Sequence, residues 1–416
     1  MRIWLATVGE PLPIDGEKVR LLRTGQFANW LSERGHEVVF WTGTMDHYQR
    51  RLRAPKTTRH RVNDNYEIVM LAGRLYRRSI SYARFMNHRD IAAEFRLAAP
   101  DMPQPDIILT SFPTAELCEA VADYAEPRRV PFIVDARDFW PDLFVEVLPG
   151  PLRFLAPIVF GPYEKVTRGV FSRADAVSGM TESAMKWALR KAGREKSEHD
   201  FWHPFTYAVD YGDGGGGRIE FDDPSQSVFP PGHVGFCFFG THSPRVNLEM
   251  FVEAFRLLYE RGVPASLMLC GQGPATQALK RQAKGLPNVL FPGWINTDQI
   301  RAVMQRSKIG VMPYNTPDFF MNIPNKIAEY LSGGLAILSC THGEIQALIR
   351  REGCGFWCEP EPEAIADEIA RIVENPEHIE QAQSKVSSTY TRLFEPNAAF
   401  QAVVGRFNDL IEAHKR

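Results

Sequence analysis

Short apolar runs alternate with amphipathic stretches along most of this chain, and the alternation breaks once. Arg2–Val8 reads as a buried strand. Lys18–Arg34 reads as a helix, with Leu21, Leu22, Phe27, Trp30 and Leu31 near helical spacing and Gly35 closing it. His36–Thr42 is the next strand, and further strands are predicted at Glu67–Leu71, Asp106–Thr110, Pro131–Asp135 and Ala174–Ser178. Between Thr206 and Val234 the pattern gives way to Asp213-Gly-Gly-Gly-Gly217 and Phe229-Pro-Pro-Gly232. Alternation then resumes with strands at Val234–Phe239, Ala265–Cys270, Asn288–Phe291, Ile309–Pro313 and Leu335–Ser339. Strands separated by helix-length stretches predict parallel sheets wrapped by helices. The fold class is therefore α/β, with two Rossmann-like domains facing a central cleft. Residues 1–207 form the first, completed by a C-terminal helix at 396–416. Residues 208–232 form a linker and hinge, and 233–395 form the second domain. In open α/β sheets ligands bind beyond the C-terminal strand ends.

At 416 residues, each half is long enough for its own core. A net charge of −2 gives no overall field to recruit nucleic acid, and no nucleic-acid recognition motif accompanies the local basic runs. Six cysteines, none in a C-x-x-C pair, fit a reduced, cytoplasmic setting. The first residues enter a strand directly, without a signal peptide's apolar core. No apolar run approaches the roughly 20 residues that span a bilayer. No D-x-D triplet occurs, so no carboxylate pair of that kind is expected to hold a divalent ion on a diphosphate, and no metal or other cofactor is expected.

The segment Pro324-Asn-Lys-Ile-Ala-Glu-Tyr-Leu-Ser-Gly-Gly334 lies between two strand-like runs. Pro324 suits a first helical turn, where a missing N–H costs nothing, and Gly333 and Gly334 suit its end. Lys326 and Glu329 then share one face, three residues apart, beside a helix start that favours anions. A cation and a carboxylate so placed suit a nucleotide diphosphate and its ribose. An ordinary surface ion pair is the competing reading of the same spacing.

Further motifs extend the pattern: Leu31-Ser-Glu-Arg-Gly-His-Glu-Val38, Val134-Asp-Ala-Arg-Asp-Phe-Trp-Pro141, Leu269-Cys-Gly-Gln-Gly-Pro274, Asn288-Val-Leu-Phe-Pro-Gly-Trp294 and Ile309-Gly-Val-Met-Pro-Tyr314. Each is weak alone, but their order and spacing closely resemble the GT4 family of retaining glycosyltransferases, which have the GT-B fold. The resemblance implies that Glu329 grips the donor ribose hydroxyls. It implies that Gly271 and Gly273 let backbone approach the nucleotide, and that Trp294 and Ile295 hold the base. Asn322, Ile323, Pro324 and Asn325 match the loop that meets the pyrophosphate and sugar. Gly240 matches the loop after the second domain's first strand. Gly16 closes the loop Gly9–Gly16, which matches one near the donor phosphate. Arg137 and Asp138 lie where many relatives carry His-Asp near the transferred sugar. Asp138 is the candidate base. Arg137 either faces a phosphate or an acidic sugar, or pairs with a neighbouring aspartate.

The chain departs from the family where relatives carry an Arg and a Lys for the diphosphate. Thr241 and Val246 stand there, and Arg245 and Lys326 are the expected substitutes. Met321 replaces a second glutamate. The resemblance implies metal-independent transfer from a nucleotide-diphosphate sugar, a UDP-sugar first and a GDP-sugar second, to a glycan or lipid-diphosphate-linked acceptor in surface polysaccharide synthesis. A non-catalytic sugar-nucleotide-binding subunit and a sugar-nucleotide epimerase are the alternatives. Two Arg-rich runs, 50–61 with six Lys/Arg and 74–89 with five, contain no acid. They are expected to form a patch for an anionic membrane surface, giving a peripheral position on the inner face of the cell membrane.

Overall fold

A computed structural model describes the chain except for residues 17, 18, 20, 79, 80, 148, 149, 208–228, 245, 315–319 and 416, and the side chains of 146–152. The linker 208–232 thus lies largely, and Arg245 wholly, outside the described residues. The described chain divides into two compact units, Met1–Pro204 with Phe400–Arg416, and Phe205–Ala399.

In the first unit the strands are β1 (Arg2–Ala6), β2 (Glu37–Gly43), β3 (Met45–Asp46), β4 (Arg51–Leu52), β5 (Thr58–Asn63), β6 (Tyr66–Leu71), β7 (Ile107–Phe112), β8 (Phe132–Ala136), β9 (Ala176–Gly179) and β10 (Phe201–Trp202). Eight of them form one sheet in the order β10-β9-β8-β7-β1-β2-β6-β5. All neighbours are parallel except β5 and β6, which pair antiparallel. The central strands β1 and β7 are buried along nearly their whole length, as parallel strands covered on both faces must be. The C-terminal helix Pro396–Lys415 supplies Phe400, Val403, Phe407 and Leu410 to this unit's core, against Phe27 and Trp30.

β5 was not expected from the sequence. It is an edge strand of mostly exposed residues, closed on β6 across Asp64–Asn65. This edge takes up part of the first Arg-rich run. Arg59 pairs with Glu67 on the neighbouring strand, at 2.8 Å. Arg61 pairs with Asp64 at 3.4 Å, and Arg53 is buried against Asp15 at 2.6 Å. In the second run Arg74 pairs with Asp90 at 2.7 Å. Acids that flank the runs, and Asp15 from farther away, thus pair with four of these arginines. Arg51, Lys56, Arg77, Arg78 and Arg89 stay exposed.

The second unit has six parallel strands, β11 (Val234–Phe239), β12 (Ala265–Cys270), β13 (Val289–Gly293), β14 (Ile309–Met312), β15 (Ala336–Ser339) and β16 (Gly355–Trp357), in the order β13-β12-β11-β14-β15-β16. The order reverses direction between β11 and β14. Chain connections leave these two strands to opposite sides, which opens a crevice at their C-terminal ends.

The helix Asn325–Ser332 lies against β14 because Gly310 has no side chain. A Cβ there would stand 2.4 Å from the Tyr330 ring. Tyr330 is fully buried and its hydroxyl donates to Val311 O at 3.3 Å. This contact fixes the rotation of the helix that carries Lys326 and Glu329. Gly310→Ala is therefore expected to lower stability by about 1–3 kcal/mol, as overpacking of a filled core does, with the shift read in thermal unfolding.

Candidate functional site

At the second unit's switch point, loops from three strands meet through their backbones. Gly240 N–H donates to Cys270 O at 2.9 Å, and Gly271 N–H to Gly293 O at 2.7 Å. His242 N–H donates to Gln272 O at 3.2 Å. Glycine is needed at two of these positions for space. A Cβ on Gly271 would stand 1.9 Å from Gly240 O, and one on Gly273 2.5 Å from His242 O. Gly240 and Gly271 also have φ of 144° and 128°, which L side chains avoid. The close approach these glycines permit here is of loop to loop.

Lys326 reaches this knot. A Cβ on Gly240 would stand 2.6 Å from its Nζ, and the ammonium lies 5.3 Å from the centre of the Phe238 ring. The structure thus brings together Gly240, Gly271 and Lys326, which are far apart in sequence. One turn on from Lys326, Glu329 Oε1 accepts the Tyr207 hydroxyl at 3.1 Å. A carboxylate accepts about four hydrogen bonds, so this one leaves capacity for vicinal hydroxyls. Tyr207 is held in turn: its N–H donates to Phe394 O at 3.0 Å, and its carbonyl accepts the Tyr390 hydroxyl at 2.7 Å. Sequence reading missed Tyr207, which it left at the edge of the linker.

Other expected residues fall differently. Pro324 is the N-cap rather than the first helical residue, with ψ of 148°, and its carbonyl accepts from Ile327 at 3.1 Å. Ile295 and Ile323 turn into the hydrophobic core, so a nucleotide would meet their backbone and not their side chains. Trp294 is 73% exposed at the end of β13, and Asn325 is exposed at the helix start. Asn322 is half-buried just before that helix. Thr241 is exposed, whereas Val246 is buried and bridges to Tyr314. The site position of the family lysine is thus spent on the core. His242, next to Thr241, is fully buried with Nδ1 3.0 Å from Thr276 Oγ1. Burial, with Lys280 nearby, holds its pKa down to about 4, so it supplies no cation near neutrality.

In the first unit the loop after β1 is tied down by buried charge. Glu10 accepts from Thr24 N–H at 3.1 Å and Gly25 N–H at 3.3 Å, the open donors of the helix Arg23–Glu33. Arg137 pairs with Glu10, donates to Asp135 at 2.9 Å and to Thr24 Oγ1 at 2.6 Å. Arg23 pairs with Asp135 and donates to His203 O at 2.7 Å. Burial opposes the Asp135 charge, yet Arg23 and Arg137 beside it hold the carboxyl well below the usual range. The Arg23 guanidinium is desolvated enough for its pKa to fall to about 10.

Arg137 is therefore turned inward and neutralised. Of the two readings open from sequence, the ion pair with an aspartate is what the structure contains, and Glu10 is its second partner. Arg137 positions the Gly9–Gly16 loop, where Gly16 has φ of 150°. Asp138 faces the other way. Burial raises its carboxyl above the usual range, with Arg84 opposing that rise, and Oδ1 accepts from Phe139 N–H at 3.0 Å. No group of three or more His, Cys, Asp or Glu among the described residues is placed to hold a metal ion. No helix among them is long and apolar enough to cross a membrane.

Two parallel α/β units, the second with its strand order reversed at a glycine-lined crevice, define the architecture of GT-B glycosyltransferases. Solved structures bear this out for the fold. Sucrose-phosphate synthase of Thermosynechococcus elongatus is similar at a TM-score of 0.67 and 14% identity, over 99% of each chain. Anabaena HepE in complex with UDP is similar at 0.62 and 14%, over 98% of this chain and 100% of that one. WaaG, a glycosyltransferase involved in lipopolysaccharide biosynthesis, is similar at 0.57 and 13%, over 97% and 100%. The family described as "Glycosyl transferases group 1" matches residues 233–375, and "Glycosyl transferase 4-like domain" matches 22–200. The chain belongs to these GT4-type glycosyltransferases. In sequence it is 27% identical over 141 residues to a GDP-mannose-dependent alpha-(1-6)-phosphatidylinositol dimannoside mannosyltransferase of Mycobacterium tuberculosis, covering 33% of this chain and 35% of that protein. It is 27% identical over 95 residues to glucosyltransferase 3 of Streptococcus gordonii, covering 21% of this chain and 27% of that protein. The match spans about a third of the mycobacterial relative and about a quarter of the streptococcal one.

The two neighbouring aspartates separate structure from chemistry. Asp135→Asn leaves two buried guanidiniums short of a carboxylate and is expected to cost about 3–5 kcal/mol. Asp138→Asn is expected to leave the unfolding midpoint within about a degree. Urea and thermal unfolding of both variants make the comparison.

Proposed function

We propose that this protein is a metal-independent, retaining glycosyltransferase. It moves a sugar from a nucleotide-diphosphate donor, UDP-linked first and GDP-linked second, to a glycan or lipid-linked glycan of surface polysaccharide synthesis. The observation that carries this reading is the convergence of the Lys326 ammonium on Gly240 at the switch point, with Glu329 one helical turn away.

Lys326 and the backbone amides of the Asn322–Asn325 segment meet the diphosphate as it gains charge. Such preorganised donors act most strongly where the leaving group becomes an anion. Glu329 takes the ribose hydroxyls, with Tyr207 holding its orientation. The exposed Trp294 offers a face to the base. The leaving phosphate takes the acceptor proton in a retaining transfer. Asp138, with its raised carboxyl, is the side chain best tuned to assist. UDP and GDP are the nucleotides to test first. HepE was solved with UDP, and the mycobacterial relative is described as GDP-mannose-dependent. The exposed Arg77, Arg78 and Arg89 support contact with an anionic membrane surface.

A thermal-shift series with UDP, GDP, ADP and CMP is the first test. One diphosphate is expected to raise the midpoint by several degrees. No response to any of them would support a unit that has lost its donor site, as the buried Val246 and the neutral His242 would then suggest. With a donor in hand, Lys326→Ala and Glu329→Ala are each expected to lower transfer about a hundredfold, measured as kcat/KM. Tyr207→Phe is expected to raise KM for the donor several-fold with kcat nearly unchanged. Transfer is expected to survive EDTA; its loss on chelation, with recovery on adding a divalent ion, would sink the metal-independent mechanism.

A further inference from the structure

The first unit contains a cavity of about 310 Å³ between the Gly9–Gly16 loop and the hairpin of β3 and β4. Pro11, Asp15 and Gly16 line it on the loop side, and Asp46, Tyr48 and Gln49 on the hairpin side. The loop follows β1 and the hairpin follows β2, so both walls stand beyond the C-terminal ends of neighbouring parallel strands, where open α/β sheets bind ligands. The volume is at the low end of the range for small-molecule pockets, about 300–1,000 Å³. That is room for a molecule the size of one ring.

The hairpin side brings an aromatic ring and a carboxylate together. Tyr48 is 62% exposed but anchored. Its N–H donates to Asp46 Oδ1 at 2.9 Å, and its ring meets the His47 ring edge-on, with centres 5.7 Å apart. His47 is held in turn, with Nδ1 2.8 Å from the Tyr76 hydroxyl. The two carboxylates of the wall differ. Asp15 accepts from two Arg53 nitrogens, each at 2.6 Å, and from Leu12 N–H at 2.8 Å. Asp46 is only 3% exposed, and it accepts from Tyr48 N–H and from Gln49 N–H, at 3.0 Å, through the same oxygen, Oδ1. Its Oδ2 lies 4.0 Å from Arg53, which is beyond hydrogen-bond reach. A nearly buried carboxylate oxygen without a hydrogen bond from the described residues costs free energy until a donor meets it.

We propose that this cavity is a subsite for one neutral pyranose ring, stacked on Tyr48 with a hydroxyl donating to Asp46 Oδ2. The inference rests on the glycosyltransferase reading and adds to it a place and a mode of sugar recognition. A pyranose carries C–H bonds on its faces and hydroxyls around its rim. The C–H face suits the electron-rich face of a phenol ring. The rim hydroxyls are the donors that the Asp46 oxygen lacks, and the exposed Gln49 amide adds a donor and an acceptor at the edge. A phosphate or a sugar carboxylate at this place would meet the Asp46 charge without donating to it. The same ring chemistry belongs to the sugar being transferred and to a sugar of the acceptor.

The test uses the full-length protein and the methyl glycosides of glucose, galactose, mannose and N-acetylglucosamine, with binding followed by saturation-transfer difference NMR. Sorbitol is the open-chain control. At least one glycoside is expected to bind, and sorbitol far more weakly. Tyr48→Ala is expected to weaken that glycoside roughly tenfold, and Tyr48→Phe to leave it within about twofold. Asp46→Asn keeps an oxygen for the two N–H groups and replaces the other with an amide nitrogen. It is expected to weaken binding about tenfold or more. Unfolding midpoints report that the variants are folded, and the exposed Tyr48 is replaceable without loss of the fold. No binding by any glycoside overturns the proposal, as does unchanged binding by Tyr48→Ala or sorbitol binding as tightly as the glycosides. A UDP- or GDP-linked sugar then separates the two sources. Displacement of the glycoside by that sugar nucleotide, but not by the free nucleotide, assigns the subsite to the transferred sugar; binding of both at once assigns it to the acceptor. Tyr48-dependent glycoside binding with no response to any nucleotide would overturn the donor reading and leave the subsite standing.

Discussion

Parallel strands impose a constraint that the rest of this molecule follows. A chain leaving a parallel strand must cross over to the next one, and in each sheet the crossovers run in both directions from a central strand. β1 has β2 on one side and β7 on the other, and β11 has β12 and β14. The loops after such a pair diverge, and space opens at their C-terminal ends. Gly240 and Lys326 meet at that opening, and the helix that carries Lys326 and Glu329 is braced against β14. In the first unit the same position is taken by the Gly9–Gly16 loop and the segment after β8. Neither opening is shaped by sequence-distant accident. Each follows from strand order.

The two units fill their openings differently. In the second, side chains are kept out. Gly240, Gly271 and Gly273 pack backbone on backbone, leaving amides, carbonyls and one long lysine to define the surface. Such a surface suits a diphosphate, which needs donors at fixed positions and little shape selectivity. In the first unit, charge is buried instead. Glu10, Arg23, Asp135 and Arg137 neutralise one another beneath the loop. A buried network of this kind is costly to desolvate and adds little net stability. What it does is join the loop after β1, a helix start and the end of β8 into one piece, so that Asp138 is carried on a rigid base.

Most of the framework was legible in the sequence because parallel strands are buried on both faces and read as unbroken apolar runs. Val234–Phe239 and Ala265–Cys270 fall where their composition puts them, to the residue. β5 was not legible, because an edge strand bears polar, mostly exposed side chains and makes no apolar run. The Lys326 and Glu329 spacing was legible because a helix makes it local. The partners were not. Tyr207 lies 122 residues from Glu329, and Glu10 lies 127 from Arg137. No periodicity connects residues so far apart; only the folded sheet does. The ion pairs of the basic runs were hidden for a related reason. Counting charge within a run cannot see the acids that flank it, such as Asp64, Glu67 and Asp90, or Asp15 from farther away.

The pairing of these arginines also decides what holds the edge of the first sheet. Arg53 is buried against Asp15, whereas Arg59, Arg61 and Arg74 meet their acids at the surface. Exposed pairs are screened by salt and each adds little net stability. The edge strand β5 is therefore held by its ladder to β6 more than by its charges, and the buried Arg53–Asp15 pair, beside the Gly9–Gly16 loop, is the one whose loss would be felt.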